Sequence, residues 1–206
     1  MAQLFHIHPQ NPQGRLISQA VKIIRKGGIM AYPTDSSYAL GCHVGDAKAL
    51  ERIRAIRQTG PEHNFTLVCA DLSALAKYAR VENQDYRLLK SLTPGAYTFI
   101  LPATREVPRR LQHPKRKTIG LRVPDYPIVS ALLTELGEPI MSSTLWMPGD
   151  DIPLNDAQDI EERIGHEIDL IIDAGPCDLE PTTVLEIDRG LVNVVRQGKG
   201  DVSTFV

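Results

Sequence analysis

Glycine and proline constrain the fold of this chain most, because they divide it into short apolar segments and longer amphipathic ones. Residues 28–32 begin at a glycine, continue as an apolar run and stop before Pro33, as a short buried strand does. Residues 11–26 instead place apolar side chains at helical spacing and end at Gly27 and Gly28. This alternation of strand and helix patterns predicts an α/β protein.

Strand and helix patterns alternate through the first two thirds of the chain, and strands predominate at its end. Strands are expected at residues 4–8 (an edge strand), 28–32, 65–70, 97–101, 118–124, 139–144, 168–174, 183–187 and 192–195. Helices are expected at 11–26, 46–57, 71–78, 84–92, 127–136 and 155–164, with Asp46 and Asp71 as N-caps. Residues 33–45 are expected to form a loop. Since no linker or repeat is present, we predict one α/β domain, residues 1–206, with a twisted mixed β-sheet flanked by helices.

Five consecutive residues with hydroxyl or carboxylate groups, 34–38, follow the apolar strand at 28–32. Two interpretations stay open. The stretch can be a turn in which Asp35 and the serines bond their own backbone. Alternatively, polar groups presented at a strand end can grip a small ligand.

Composition excludes several classes of protein. The 206 residues are 42% hydrophobic and 23% charged, and no apolar run reaches membrane length. Residues 1–5 do not resemble a signal peptide, so we expect a cytoplasmic protein without a membrane partner. The three cysteines are widely separated and are expected to be reduced. His6 and His8 have no third ligand nearby in the sequence, so we interpret them as surface residues and predict no metal site.

A dense basic segment stands out in a chain whose formal net charge is −2. Such a segment produces a local positive field, which favours a polyphosphate or nucleic acid as partner. A solvated loop opposite the acidic residues 150–188 is the alternative. The candidate RNA-binding residues are Arg105, Arg109, Arg110, Lys115, Arg116 and Lys117.

Hydroxyl residues recur at the ends of predicted strands, at 142–144 and 182–183, and Arg122 and Arg196 lie in or beside strands. Hydroxyls and guanidinium groups that converge on one crevice would suit a phosphate or a carboxylate, since guanidinium binds such groups through two parallel hydrogen bonds. Taken singly, each arginine is equally well explained by a salt bridge or a strand position. No Walker loop, dinucleotide fingerprint, zinc pattern or nucleophile elbow is present.

Several segments together resemble the YrdC-like family, in order, from about residue 15 to residue 200. Residues 32–41, Y-P-T-D-S-S-Y-A-L-G, are similar to that family's Y-P-T-[DE]-[ST]-x-Y-G-L-G signature. Residues 94–101, 120–124, 139–144, 182–184 and 196–198 resemble its later motifs in the same order. The resemblance implies an α/β fold with a positively charged concave surface, nucleotide and RNA binding, and synthesis of threonylcarbamoyl-AMP from threonine, bicarbonate and ATP.

The same resemblance implies roles for individual residues. Thr34 and Tyr38 would line the amino-acid end of the site, and Arg57 would supply a cation from the family's K-x-R pair. Thr144 would keep the hydroxyl of its S-x-N motif. The residues that would face a carboxylate or nucleotide are Arg122, Ser142, Thr182 and Arg196. ATP is then a possible substrate, with Mg²⁺ only if ATP chemistry survives.

Three positions depart from the family pattern. Thr59 replaces the second cation of K-x-R, His63 falls on a later lysine, and Trp146 falls on the asparagine of S-x-N. An indole donates one hydrogen bond and accepts none, so Trp146 cannot replace an amide; it would stack on a base or pack. Removing one cationic group that stabilises a developing phosphate charge commonly costs about 10²–10³ in rate. These departures predict weak or absent synthase activity.

We therefore predict an RNA- and nucleotide-binding protein whose partners are a nucleotide and structured RNA (double-stranded RNA, tRNA or rRNA). Two alternatives stay open. The chain can be a working threonylcarbamoyl-AMP synthase in tRNA modification, or it can form a related adenylate from another small acid. No catalytic residue is assigned.

Overall fold

The computed structural model describes residues 1–60 and 62–205, and its strands form one ten-stranded sheet. The strands are β1 (Gln3–His6), β2 (Met30–Tyr32), β3 (Ala39–His43), β4 (Thr66–Val68), β5 (Tyr97–Pro102), β6 (Thr118–Arg122), β7 (Ile140–Thr144), β8 (Leu170–Asp173), β9 (Thr183–Asp188) and β10 (Leu191–Arg196). Their order across the sheet is β1-β8-β2-β3-β7-β4-β6-β5-β9-β10. Parallel pairs such as β4/β6 and antiparallel pairs such as β3/β7 coexist, which confirms the predicted mixed sheet.

Six α-helices connect these strands within the described residues. They are α1 (Gly14–Arg25), α2 (Ala47–Arg57), α3 (Leu72–Tyr78), α4 (Asn83–Leu92), α5 (Pro127–Leu136) and α6 (Ala157–Ile164). The two predicted N-caps are confirmed: Asp46 accepts a hydrogen bond from Ala49 N, and Asp71 accepts one from Ala74 N. Gly137 ends α5 with a φ of 75°, a conformation that glycine adopts without steric cost.

Strand β3 corrects the prediction of a loop over residues 33–45. The strand itself, Ala39–His43, contains a glycine and a cysteine but no β-branched residue, so its strand propensity is low. It is a strand because it pairs with β2 on one side and β7 on the other, which is a tertiary effect.

Helices cover the two faces of the sheet unequally. One apolar cluster joins the sheet to α2, α3, α4 and α6, and a second joins it to α1 and α5. Within the described residues, the second cluster takes strand residues from the β8–β2–β3–β7–β4 side and none from β5, β6, β9 or β10. No helix of the described residues therefore packs on the β5–β6–β9–β10 half of that face, and we call this half the open face.

No helix in the described part of the chain combines the length and the apolar character that a bilayer crossing requires.

Candidate functional site

A cleft of about 370 Å³ has its floor on the open face, and one of its walls includes Arg57 from the end of α2, a helix of the other face. Its floor consists of residues from neighbouring strands, Thr66, Thr98, Ile100, Gly120 and Val184. Its walls are formed by Arg57, Glu62, His63, Asn64, Ser143, Thr144, Trp146, Thr182, Val195 and Arg196. Two larger depressions, of about 650 and 680 Å³, lie at the start of α4 and between β1 and α6, and neither gathers hydroxyls and arginines in this way.

The floor of the cleft follows from the two-residue period of the strands. Thr98 and Ile100 on β5 alternate with Phe99, which points into the opposite, helix-covered core. Gly120 pairs with Thr66, and a Cβ at Gly120 would lie 2.8 Å from Thr66 Oγ1. Glycine at this position therefore allows the two strands to pack closely under the cleft.

Arg57 and His63 form one wall, and both contact the hydroxyl of Ser143. Arg57 Nε donates a hydrogen bond of 3.3 Å to Ser143 Oγ, and His63 Nε2 lies 3.4 Å from the same oxygen. Burial lowers the pKa of Arg57. Burial, together with the charges of Arg57 and Arg54, lowers the pKa of His63 to about 4, so its imidazole is neutral at pH 7.

Arg196 and Thr182 form the opposite wall. Arg196 Nη2 and Nε donate to Thr182 O at 2.8 and 3.2 Å, and the Thr182 hydroxyl lies 2.8 Å from that of Thr98. Burial, and then the neighbouring charge of Arg122, lower the pKa of Arg196. Among residues 1–60 and 62–205, neither Arg57 nor Arg196 has a carboxylate partner. The cleft therefore holds two half-buried cations whose charge is balanced by no carboxylate of the described residues.

Among the described residues, one further polar atom around the cleft has a hydrogen-bond partner and two do not. Trp146 Nε1 donates to Asp150 O at 2.8 Å, so its single donor is already used within the protein. Asn64 Oδ1 and Thr59 Oγ1 are buried without a partner in the described part of the chain. Buried polar atoms of this kind are usually satisfied, and of these two residues Asn64 lines the cleft.

The hydroxyl-rich stretch after β2 is held by its own contacts. Thr34 Oγ1 donates to Ser37 O at 2.7 Å and accepts from Ser36 N at 3.1 Å, so the self-bonded turn exists, through Thr34. The Tyr38 hydroxyl donates to Gly175 O at 3.1 Å, and burial raises the pKa of Tyr38. The hydrogen bonds of both predicted site residues are therefore internal to the protein.

Arg122 and Ser142 also have partners within the protein. The Arg122 guanidinium forms an ion pair with the Asp35 carboxylate, and Asp35 Oδ2 accepts from Asp125 N at 2.9 Å. Ser142 Oγ donates to Leu40 O at 3.1 Å and accepts from the Tyr32 hydroxyl at 2.8 Å. Burial raises the pKa of Tyr32 to about 12, so this hydroxyl stays protonated and donates.

The structure thus brings four of the eight predicted nucleotide- and substrate-binding residues into one cleft: Arg57, Thr144, Thr182 and Arg196. Thr34, Tyr38, Arg122 and Ser142 do not line it. Ser143, Asn64, Thr66 and Thr98 line the cleft without having been predicted from the sequence as ligand contacts. The sequence does contain a signal for Thr98, because a hydroxyl residue in the otherwise apolar strand at 97–101 indicates a side chain that faces a polar site.

The basic segment follows β5, and the side chains of its six candidate residues are exposed. Lys115 pairs with Glu62 at 2.9 Å, and since Glu62 lines the cleft, the segment reaches the cleft's edge. Arg116 pairs with Glu186 at 2.9 Å, Arg110 donates to Gly45 O at 2.8 Å, and Lys117 Nζ donates to Pro114 O at 2.6 Å. The side chains of Arg105 and Arg109 have no hydrogen-bond or ion-pair partner in the described residues.

The described residues do not form a magnesium site. Among the described residues, no three His, Cys, Asp or Glu side chains group together as metal ligands. Glu62 is the carboxylate of the cleft lining, and it is paired with Lys115. Mg²⁺ prefers carboxylate, phosphate and water oxygens, so this lining gives it little to bind.

Comparison with known proteins shows the same fold and motifs elsewhere. A family model for Sua5, YciO and YrdC, described as "Telomere recombination", matches residues 22–198. The chain is 54% identical over 206 residues to the uncharacterised protein YciO of Escherichia coli, covering all of both chains. The crystal structure of E. coli YciO superposes with a TM-score of 0.97 over the full length of both chains.

More distant similarity extends to named enzymes. A threonylcarbamoyl-AMP synthase of Vibrio vulnificus is 28% identical over 159 residues, which are 76% of this chain and 84% of that protein. Sua5 of P. abyssi, solved with L-threonine, shares the fold at 24% identity and a TM-score of 0.87, over 96% of this chain and 58% of that one. The family model matches most of the chain, and the similarity to YciO in both sequence and fold extends over its full length. The protein therefore belongs to the Sua5/YciO/YrdC family.

Proposed function

We propose that this protein binds an adenine nucleotide in the cleft and structured RNA along the basic segment, and that its threonylcarbamoyl-AMP synthase activity is weak or absent. The observation that carries the nucleotide proposal is the pair of half-buried guanidinium groups, Arg57 and Arg196, without carboxylate partners among the described residues. A buried unpaired charge is costly, and a phosphate or carboxylate of a ligand would offset that cost.

The rest of the cleft suits a nucleotide as well as an anion. Hydroxyls of Thr98, Thr182 and Thr144 line the region near the two arginines, and they can bond phosphate or ribose oxygens. Trp146 lines the same cleft with its indole nitrogen already bonded, which leaves its ring for apolar contact with a base. A volume of about 370 Å³ lies within the range of small-molecule sites.

The proposal of weak synthase activity is supported by two positions at which the family pattern has a cation and this chain does not. Thr59 is uncharged, and His63 is neutral at pH 7, at two positions where the family pattern has cations. Transition states of phosphoryl and nucleotidyl transfer carry charge on phosphate oxygens, and cations stabilise it. Arg57 and Arg196 remain, which is enough to bind an anion but leaves less stabilisation for pyrophosphate release.

Nucleotide binding is tested by calorimetry with AMP and ATP. Arg57→Gln should weaken binding about tenfold to hundredfold, since a hydrogen bond to a charged group is worth about 1.5–3 kcal/mol. Arg87→Gln, an exposed arginine on α4, is the matched control and should bind like the parent protein. Equal affinity of the Arg57→Gln variant and the parent would exclude the cleft as the nucleotide site.

Synthase activity is tested by threonine- and bicarbonate-dependent pyrophosphate release from ATP, with the V. vulnificus enzyme run in parallel. We expect little release from the native chain and more from a Thr59→Arg, Trp146→Asn variant. Rates close to those of the parallel enzyme would support the alternative of a working synthase. ATP–pyrophosphate exchange with a different small carboxylate would support the alternative of another adenylate.

A further inference from the structure

His63, Ser143 and Arg57 form a connected polar group at one end of the cleft. Ser143 Oγ accepts a hydrogen bond from Arg57 Nε at 3.3 Å, so its own hydrogen is free to point elsewhere. His63 Nε2 lies 3.4 Å from this oxygen, within hydrogen-bond distance. When the Ser143 hydroxyl donates to Nε2, the neutral imidazole carries its hydrogen on Nδ1.

Cations dominate the surroundings of His63. The charges of Arg54 and Arg57 of α2 both act on it, and its ring packs in a T-shaped arrangement with Phe65, at 5.1 Å between centroids. Ser143 of β7 contributes no charge. Glu62, the neighbouring acid, is paired with Lys115 at 2.9 Å. Burial and the two arginines hold the pKa of His63 at about 4, so the imidazole stays neutral while the cleft is free of ligand.

We propose that His63 takes up a proton from solvent when an adenylate anion enters the cleft, and then binds that anion together with Arg57. This inference rests on the proposed nucleotide binding. An anion that contacts Arg57 lies close to His63, because the two side chains share the Ser143 hydroxyl. The anion's charge opposes that of the arginines, and an opposite charge within a few ångströms favours the protonated imidazole.

Protonation changes the hydrogen bonds of the group without disrupting it. The protonated imidazole donates from Nε2, and the Ser143 hydroxyl turns to accept from it and to donate to the ligand. The site then offers a third cation that the free protein does not carry. A lysine here would carry its charge at all physiological pH values, whereas histidine makes the charge depend on ligand and pH.

Binding of the anion should be tighter at lower pH. Between the pKa of His63 in the free protein, about 4, and the raised pKa in the complex, affinity should increase up to about tenfold per pH unit as pH falls. Above the raised pKa, affinity should be independent of pH. The sign follows from linkage, because the complex binds more protons than the free protein within that window.

The test uses adenosine 5′-phosphosulfate, a probe whose own charge stays fixed from about pH 8 to about pH 5, so that only the protein titrates. Calorimetry in two buffers of different ionisation enthalpy measures both the Kd and the number of protons taken up. Native protein should take up a fraction of a proton at about pH 6, with affinity rising as pH is lowered. His63→Gln should bind without proton uptake, and His63→Lys should bind with an affinity that does not change with pH.

The outcomes separate the role of His63 from nucleotide binding itself. Binding that is independent of pH and takes up no proton would overturn the role of His63 and leave nucleotide binding in place. Proton uptake that persists in His63→Gln would assign the proton to another group and overturn the inference too. Absence of binding at every pH, in the native protein and in His63→Lys alike, would overturn both proposals.

Discussion

At the scale of single residues, the pair formed by Arg122 and Asp35 shows how the signature after β2 serves the fold. The side chains are 8% and 11% exposed, so both charges are largely removed from water. Asp35 also accepts from Asp125 N, and Lys199 Nζ donates to the Asp35 carbonyl oxygen at 2.7 Å. The signature residue Asp35 therefore connects three distant segments of the chain.

Breaking this pair should destabilise the protein through the charge left behind. Arg122→Met should lower the free energy of unfolding by about 3–5 kcal/mol, because the Asp35 carboxylate stays buried without its counter-ion. Adding Asp35→Asn removes that charge, so the double variant should recover part of the loss. Urea unfolding of the parent protein and both variants measures the effect. A double variant less stable than Arg122→Met alone would contradict this explanation.

At the scale of secondary-structure elements, α3 depends strongly on its N-cap. The helix has seven residues, and Asp71 accepts from Ala74 N at 2.7 Å at its start. Short helices gain little from propensity, so the cap and the buried Leu75 carry much of its stability.

Asp71→Ala should therefore lower the free energy of unfolding by about 1 kcal/mol, within the usual range for removal of an N-cap. Asp71→Asn is the matched control, since asparagine caps a helix about as well as aspartate. Chemical denaturation of both variants provides the comparison. If the alanine and asparagine variants lost the same stability, the charge of Asp71 rather than its capping bond would be responsible.

Most elements could be predicted from local patterns, but their order in the sheet could not. The predicted strand at 28–32 corresponds to β2, and the predicted edge strand at 4–8 corresponds to β1 at one margin of the sheet. β3 was missed because pairing with β2 and β7, rather than its own residues, makes it a strand. Pairing over such distances leaves no mark in a local pattern.

The same limit explains which site residues could be predicted. The hydroxyl residues at 142–144 were recognised as a strand end, but neighbouring residues of a strand point to opposite faces. Ser142 is engaged by Tyr32, whereas Ser143 meets Arg57 and His63. Assigning the right serine requires knowing which helix covers which face, and that is a property of the packed protein.

At the scale of the whole molecule, uneven helix coverage creates the site. Helices α1 and α5 cover the β8–β2–β3–β7–β4 side of one face, and the open face beyond them forms the floor of the cleft. The basic segment reaches the same edge through the Lys115–Glu62 pair. A formal net charge of −2 gives no general attraction to nucleic acid, so the proposed RNA binding relies on local positive charge such as that of this segment.

RNA binding should therefore depend on where the positive charges lie, and two double variants of equal net charge can show this. Arg105→Gln with Arg109→Gln should weaken binding to an RNA hairpin, similarly for different duplex sequences, because phosphate groups carry no sequence information. The slope of log affinity against log salt should fall by about 0.7–0.9 for each phosphate that the variant no longer neutralises. Filter binding or fluorescence anisotropy across a salt series measures both quantities. Lys22→Gln with Lys26→Gln removes the same charge from the end of α1, which packs in the second apolar cluster, whereas Val107 and Leu111 of the basic segment pack in the first; this variant should change little. If both double variants weakened binding equally, attraction would depend on total charge, and the basic segment would not be the RNA-binding surface.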